Sequence, residues 1–345
     1  MTTPPVRLAL TNQVAVLGSG GWGTALAVHL GRLGKDVRLW GRNEKLVAQM
    51  AGERENAAYL PGVRLPDCVT PTSSLTDALA GAHCVVSAVP SHGTREVLRL
   101  ASAAMTDEAV VVSATKGLEG GTLLRMSEVM EQELGSRRTF TVLSGPSFST
   151  EFARGLPTAV AIAGRSAEAV AEVQEQFRSP YFRLYATEDV VGVEVGGAMK
   201  NVIAIAAGVV EGLGLGHNAL SALITRGLAE TSRLAAVVGG RRDTLAGLSG
   251  LGDLVLTCTG AQSRNRRVGV ELGRGRSLDQ ILAGMSAVAE GVRTTAAALE
   301  LGERHAVEMP ITTQMAEVLS GRTTPQAAVE ELMLRRQRSE AETGR

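Results

Sequence analysis

The chain has 345 residues, 44% hydrophobic and 20% charged, with 35 basic residues against 35 acidic ones. That length suits two domains and a sizeable core. Zero net charge excludes a polyanion partner such as nucleic acid, whose binders carry a basic excess.

Only four of the basic residues are lysines: Lys35, Lys45, Lys116 and Lys200. Aromatic residues make up 3% of the chain and glycine contributes 40 residues, so the core is expected to use Ala, Val, Leu and Ile with close backbone approaches. Three scattered cysteines, Cys68, Cys84 and Cys258, do not suit a disulfide framework or a metal site, and they fit a reducing cytoplasm. The segment Met1 to Gln13 has no basic start, apolar stretch or cleavage site of a leader. The apolar stretch Val202 to Val210 is half the length of a membrane span, so a soluble cytoplasmic protein is expected.

Residues 14 to about 195 repeat one rhythm: a short Val- and Ala-rich run, a Gly- or Ser-containing turn, then a helical stretch. The strand candidates are 14–17, 36–40, 84–89, 109–114, 139–143 and 158–162. Several are apolar on successive residues, as in strands buried on both faces of a mostly parallel sheet. Residues 1–196 are therefore expected to form an α/β, Rossmann-type doubly wound sheet. From 197 to 335 Ala and Leu recur at three- and four-residue spacing between Gly-rich turns, giving an all-α C-terminal domain. Residues 336–345 read as a polar tail. Long Ala- and Leu-rich helices are compatible with a homodimer, and core packing explains them equally well.

The string Gly18-Ser19-Gly20-Gly21-Trp22-Gly23 fits GxGxxG after an apolar strand and before a helical run. Gly18 suits the tight turn, Gly20 lets backbone approach a pyrophosphate, and Gly23 lets helix pack on strand. The helix start offers N–H groups to the anion. A dinucleotide site follows. At the end of the second strand Arg42 stands where an acid would bind the ribose 2′-OH, and it suits a 2′-phosphate, so NADP is accepted, alone or beside NAD. The alternative is an ordinary solvated arginine.

Ligands of open parallel sheets sit outside the carboxyl ends of the strands. Those ends carry Ser91-His92, Thr115-Lys116-Gly117 and Ser144-Gly145-Pro146-Ser147. Lys116 offers a point charge to a substrate oxygen or phosphate, or else snorkels to water. His92 is a lone loop histidine and carries no assigned role.

Lys200 and Asn201 head a helix that is otherwise apolar all round. Burial there costs an ammonium much and draws a lysine pKa down toward about 7–8, where it exchanges protons at neutral pH. Lys200 thus reads as a general acid/base, or as a structural ion pair to Glu194 or Asp253. Asp253, bracketed by glycines, can orient Lys200. Ser263-Arg264-Asn265 reads as a helix start with a capping hydroxyl, free N–H groups and a guanidinium, an anion site suited to a phosphate monoester.

The strings Gly18 to Ala27, Leu39 to Arg42, Ser144 to Phe148, Gly197 to Val202, Leu248 to Leu254, Gln262 to Arg267 and Glu290-Gly291 together resemble the NAD(P)-dependent glycerol-3-phosphate dehydrogenases of bacterial type. The resemblance runs from about residue 13 to 333. It implies reversible reduction of dihydroxyacetone phosphate to sn-glycerol 3-phosphate for phospholipid synthesis. It implies dinucleotide contacts at Gly21, Trp22, Arg42, Lys116, Ser149, Arg264, Val288 and Glu290. Substrate contacts are implied at Lys116, Gly145, Ser147, Lys200, Asp253, Ser263, Arg264 and Asn265, with Lys200 as proton donor or acceptor. Gly21 and Ser149 depart from the commoner Ser and Ala of the family. A related hydroxyacid dehydrogenase and a non-catalytic NADPH-sensing module are the other readings.

Overall fold

The computed structural model describes residues 12–285, 289–337 and 339. The first part runs β1 (Gln13–Leu17), α1 (Gly21–Arg32), β2 (Asp36–Trp40), α2 (Glu44–Glu53), β3 (Val69–Thr72), α3 (Leu75–Leu79) and β4 (Cys84–Ser87). It continues with α4 (Ser91–Ser102), β5 (Val110–Ser113), α5 (Met126–Leu134), β6 (Phe140–Ser144), α6 (Ser149–Ala153), β7 (Thr158–Gly164), α7 (Ala167–Phe177) and β8 (Phe182–Thr187).

The strands form one sheet in the order β3-β2-β1-β4-β5-β6-β7-β8. Neighbours are parallel except β6 and β7, which are antiparallel. Alternate residues of the central strands enter opposite cores, as the pleat requires. Val14, Val16, Val86 and Val112 join one apolar cluster, and Ala15, Leu17, Val85 and Val111 join the other. Both faces being covered, these strands read as unbroken apolar runs.

The six strands expected from such runs are present, with ends shifted by at most two residues. Two further strands, β3 and β8, lie at the two edges of the sheet. They are half exposed, and Pro71 interrupts β3.

The second part is helical: α8 (Val190–Gly212), α9 (Gly216–Val237), α10 (Arg242–Leu245), a π-helical turn at Leu248–Gly252, and α11 (Asp253–Thr259). It ends with α12 (Arg264–Gly273), α13 (Leu278–Ala283), α14 (Glu290–Arg304), α15 (Pro310–Leu319) and α16 (Pro325–Leu334). Helix α8 is long and apolar enough to cross a membrane, yet it is buried as the axis around which the other helices pack. Its close neighbour is α12, and two glycines allow the approach. A Cβ on Gly269 would lie 1.9 Å from the Ile205 carbonyl oxygen, and one on Gly208 would lie 2.0 Å from that of Arg266.

The expected division at 196/197 falls inside α8. Gly196 and Gly197 do not break the helix there; they let it press on the sheet and on the π-helical turn. Their Cβ positions lie 2.6 Å from the Ser249 carbonyl oxygen and 2.6 Å from Ser144 Oγ, respectively.

Candidate active site

At the carboxyl end of β1, Gly18 turns with φ +111 and its N–H donates to the Trp40 carbonyl at 3.0 Å. Gly23 brings α1 onto this turn, since a Cβ there would lie 1.9 Å from the Gly18 oxygen. Gly20 is the N-cap of α1 and supplies no side-chain cap, and beside it there is open space for a ligand. The first-turn N–H groups thus meet the requirement of a pyrophosphate: orphan donors at the positive end of a helix. Gly21 faces Ser149, whose Oγ is 3.1 Å from the Gly21 Cβ position, and Trp22 packs on Phe152 with ring centroids 5.1 Å apart. Asn56, buried, fixes the loop by donating to the Ser19 carbonyl and to Thr24 Oγ1, each at 2.8 Å.

The ends of β5 and β6 and the start of α11 converge with α8. Lys116 Nζ donates to Asp253 Oδ2 at 2.6 Å and to the Gly145 carbonyl at 3.1 Å. Lys200 Nζ donates to Asp253 Oδ1 at 2.5 Å and to Thr257 Oγ1 at 3.0 Å. The Thr257 hydroxyl in turn donates to the Asp253 carbonyl at 2.6 Å. One carboxylate, its side chain 1% exposed, therefore sits between two ammonium groups, and the triad carries a net positive charge. Burial pulls Lys200 down to about 8, against the pull of the Asp253 carboxylate and with the help of the Lys116 charge. The alternative partner Glu194 is engaged elsewhere: it accepts from the Ser127 N–H and hydroxyl and from Arg125.

The π-helical turn before α11 aims Asp253 at the lysines. Such turns recur at functional sites. Gly250 makes it feasible, for a Cβ there would lie 2.0 Å from the Leu245 oxygen. Gly145 adopts φ +149 against Val160, and its carbonyl also accepts from Ser147 Oγ at 3.0 Å.

Ser263 caps α12, accepting from the Arg266 N–H at 3.2 Å, and leaves Arg264 exposed on the first turn. Asn265 is buried: its amide donates to Asn201 Oδ1 at 2.8 Å and its carbonyl accepts from the Gly291 N–H at 3.0 Å. One amide proton of Asn265 remains for a ligand. Glu290 accepts from the Ser91 N–H at 3.4 Å; burial pushes its carboxyl up, against that N–H and the charges of Arg264, Lys200 and Lys116.

Lys116, Lys200, Asp253, Gly145 and Ser147 thus share one cluster, with Ser263, Arg264, Asn265 and Glu290 beside it. Gly18, Gly20, Gly21, Trp22, Gly23 and Ser149 form the loop site. Arg42 stands apart, exposed after β2 and paired with Glu96 at 2.9 Å. Val288 lies outside the described residues. Sequence reasoning missed Thr257 and Asn56; for Thr257 the usable signal was its position one helical turn after Asp253. Among the described residues no group of His, Cys, Asp and Glu could hold a metal ion.

Two family models match the chain. The NAD-dependent glycerol-3-phosphate dehydrogenase N-terminus covers residues 13–170, and the corresponding C-terminus covers residues 189–330. A glycerol-3-phosphate dehydrogenase [NAD(P)+] of Koribacter versatilis is 52% identical over 328 residues, spanning 94% of this chain and 97% of its own. The protein of that name from Acidobacterium capsulatum is 50% identical, covering 95% of this chain and 100% of its own. The crystal structure of glycerol-3-phosphate dehydrogenase from Coxiella burnetii superposes with a TM-score of 0.91 at 42% identity, covering 94% of this chain and 99% of that one.

Proposed function

The chain belongs to the NAD-dependent glycerol-3-phosphate dehydrogenase family, and from that premise we infer that it interconverts dihydroxyacetone phosphate and sn-glycerol 3-phosphate with NADP or NAD. The observation that carries this reading is the Asp253 carboxylate clamped between Lys116 and Lys200, beside the α12 helix start.

Gly18, Gly20, Gly21, Trp22, Gly23 and Ser149 hold the dinucleotide, with Arg42 toward a 2′-phosphate and Glu290 at the inner end. When bound, the reduced nicotinamide supplies a hydride to the ketone carbon. The Lys200 ammonium gives its proton to the carbonyl oxygen, and the products are the alcohol and the oxidised dinucleotide. In the reverse direction neutral Lys200 takes the hydroxyl proton. A group near 8 serves both directions at physiological pH. Asp253 holds Lys200 and Lys116 at fixed points, so little reorganisation accompanies the transfer. Ser263, Arg264 and Asn265, together with the N–H groups of α12, grip the phosphate, and Gly145 and Ser147 border the substrate. Phosphate held away from the reacting carbon orients that carbon for attack.

The product is the glycerol backbone for phospholipids. A cytoplasmic location is supported by three free cysteines, two of them buried. No observation favours a carboxylate substrate: D-mandelate dehydrogenase shares the fold at a TM-score of 0.60 and 13% identity, a likeness of fold alone. Following NADPH and NADH oxidation with dihydroxyacetone phosphate and with 2-keto acids tests the assignment. Turnover confined to dihydroxyacetone phosphate supports it. Turnover confined to 2-keto acids overturns it, and dinucleotide binding without any turnover would make the protein a sensor.

A further inference from the structure

Arg42 and Glu96 form an ion pair at 2.9 Å, each side chain 65% exposed. Arg42 follows β2, Glu96 lies on α4 after β4, and β2 and β4 are the two neighbours of β1. The pair therefore joins the segments on either side of the glycine loop, beyond the carboxyl ends of the strands, where open parallel sheets take their ligands. One helical turn before Glu96 stands His92, which desolvation and then the charges of Arg293 and Arg42 hold below the ordinary histidine value. Arg42 and Arg293 thus lie near His92, with Glu96 as the carboxylate paired to Arg42.

A 2′-phosphate and a carboxylate want the same thing from a guanidinium, its planar fork of donors. They also repel one another. NADH, which has a hydroxyl at that place, competes with nothing there. We propose that Glu96 sets the coenzyme preference: it competes with the 2′-phosphate of NADP for Arg42 and so tempers discrimination between NADP and NAD. Glu96 acts through Arg42 and is a specificity-determining positioning residue. The proposal rests on placing the 2′-phosphate at Arg42, and the test separates the two.

Both residues are exposed, so Glu96→Gln and Arg42→Ala should fold, which the melting temperature checks. Dissociation constants for NADPH and NADH are measured by equilibrium titration of nucleotide fluorescence at low salt, without substrate. An exposed pair has a modest effect, so Glu96→Gln should tighten NADPH by about three- to five-fold and leave NADH within about two-fold. The gain should shrink as salt screens the charges. Arg42→Ala should weaken NADPH by about ten-fold or more and reduce the effect of adding Glu96→Gln to below about two-fold. If Arg42→Ala leaves NADPH binding unchanged, the 2′-phosphate is not at Arg42 and the proposal falls with that placement. If Arg42→Ala weakens NADPH but Glu96→Gln leaves the NADPH-to-NADH ratio unmoved, the placement stands and the role of Glu96 is refuted.

Discussion

Replacing Asp253 by Asn removes the charge that both active-site lysines share while nearly preserving its shape. In the native protein the carboxylate accepts from Lys200 at 2.5 Å and from Lys116 at 2.6 Å. Lys200 stands at about 8 as the balance of burial and Lys116, which lower it, and Asp253, which raises it. The amide of the Asp253→Asn variant keeps the burial and leaves the like charge of Lys116 in place, but it removes the compensation, so Lys200 must titrate lower. An opposite charge at this range moves a pKa by about 1–3 units, so the group titrates well below its native position. At pH 7 the protonated fraction of Lys200 therefore drops. Loss of the fixed position adds the larger effect, since a positioned general acid contributes about 10²–10⁴-fold. The assay is the pH profile of kcat for reduction of dihydroxyacetone phosphate. In the native enzyme the rate should fall as pH rises through about 8. In Asp253→Asn the fall should begin at least about one unit lower, with kcat at pH 7 down by about 10² or more. A descending limb that stays in place, with kcat within about three-fold of native, would refute the coupling.

The other expectations concern the scaffold. His29 is buried, its Nε2–H donating to the Phe177 carbonyl and its Nδ1 accepting from the Tyr181 hydroxyl, each at 2.8 Å, and burial lowers it to about 4. The unfolded chain therefore binds this proton first. The stability it contributes is complete above about pH 6.5 and is lost as pH falls from there toward about 4, roughly 3 kcal/mol in all. Urea unfolding at pH 7 and pH 4.5 should show a smaller acid loss in His29→Gln than in the native chain; equal losses would contradict the assignment. Gly269→Ala forces a Cβ against the Ile205 carbonyl, where 1.9 Å is available. It should cost about 1–3 kcal/mol and, by shifting the start of α12, raise KM for dihydroxyacetone phosphate; an unchanged melting temperature would show that the helices part freely.

Strands buried on both faces were legible because each is a run of apolar residues, as in Val110 to Val112. The edge strands were not: β8 alternates buried Phe182 and Leu184 with exposed Arg183 and Tyr185, and β3 holds four residues including a proline. In the site, Gly18, Gly20 and Gly23 were legible from their spacing together with the apolar strand before them and the helical run after them. The pairing of Asp253 with Lys200 was one of two options, and the structure decides it because Glu194 is consumed by Arg125 and Ser127. That Lys116 would reach the same carboxylate across 137 residues of chain was beyond any local pattern, since it depends on how the helical part docks on the sheet. The same holds for the amide link from Asn265 to Asn201, 64 residues apart.

The direct test of Lys200 as the proton donor is Lys200→Ala, with single-turnover reduction of dihydroxyacetone phosphate followed by loss of NADPH absorbance and NADPH affinity measured separately. Turnover should fall by about 10²-fold or more, with the NADPH dissociation constant within about three-fold of native. Near-native turnover with intact NADPH binding would contradict it.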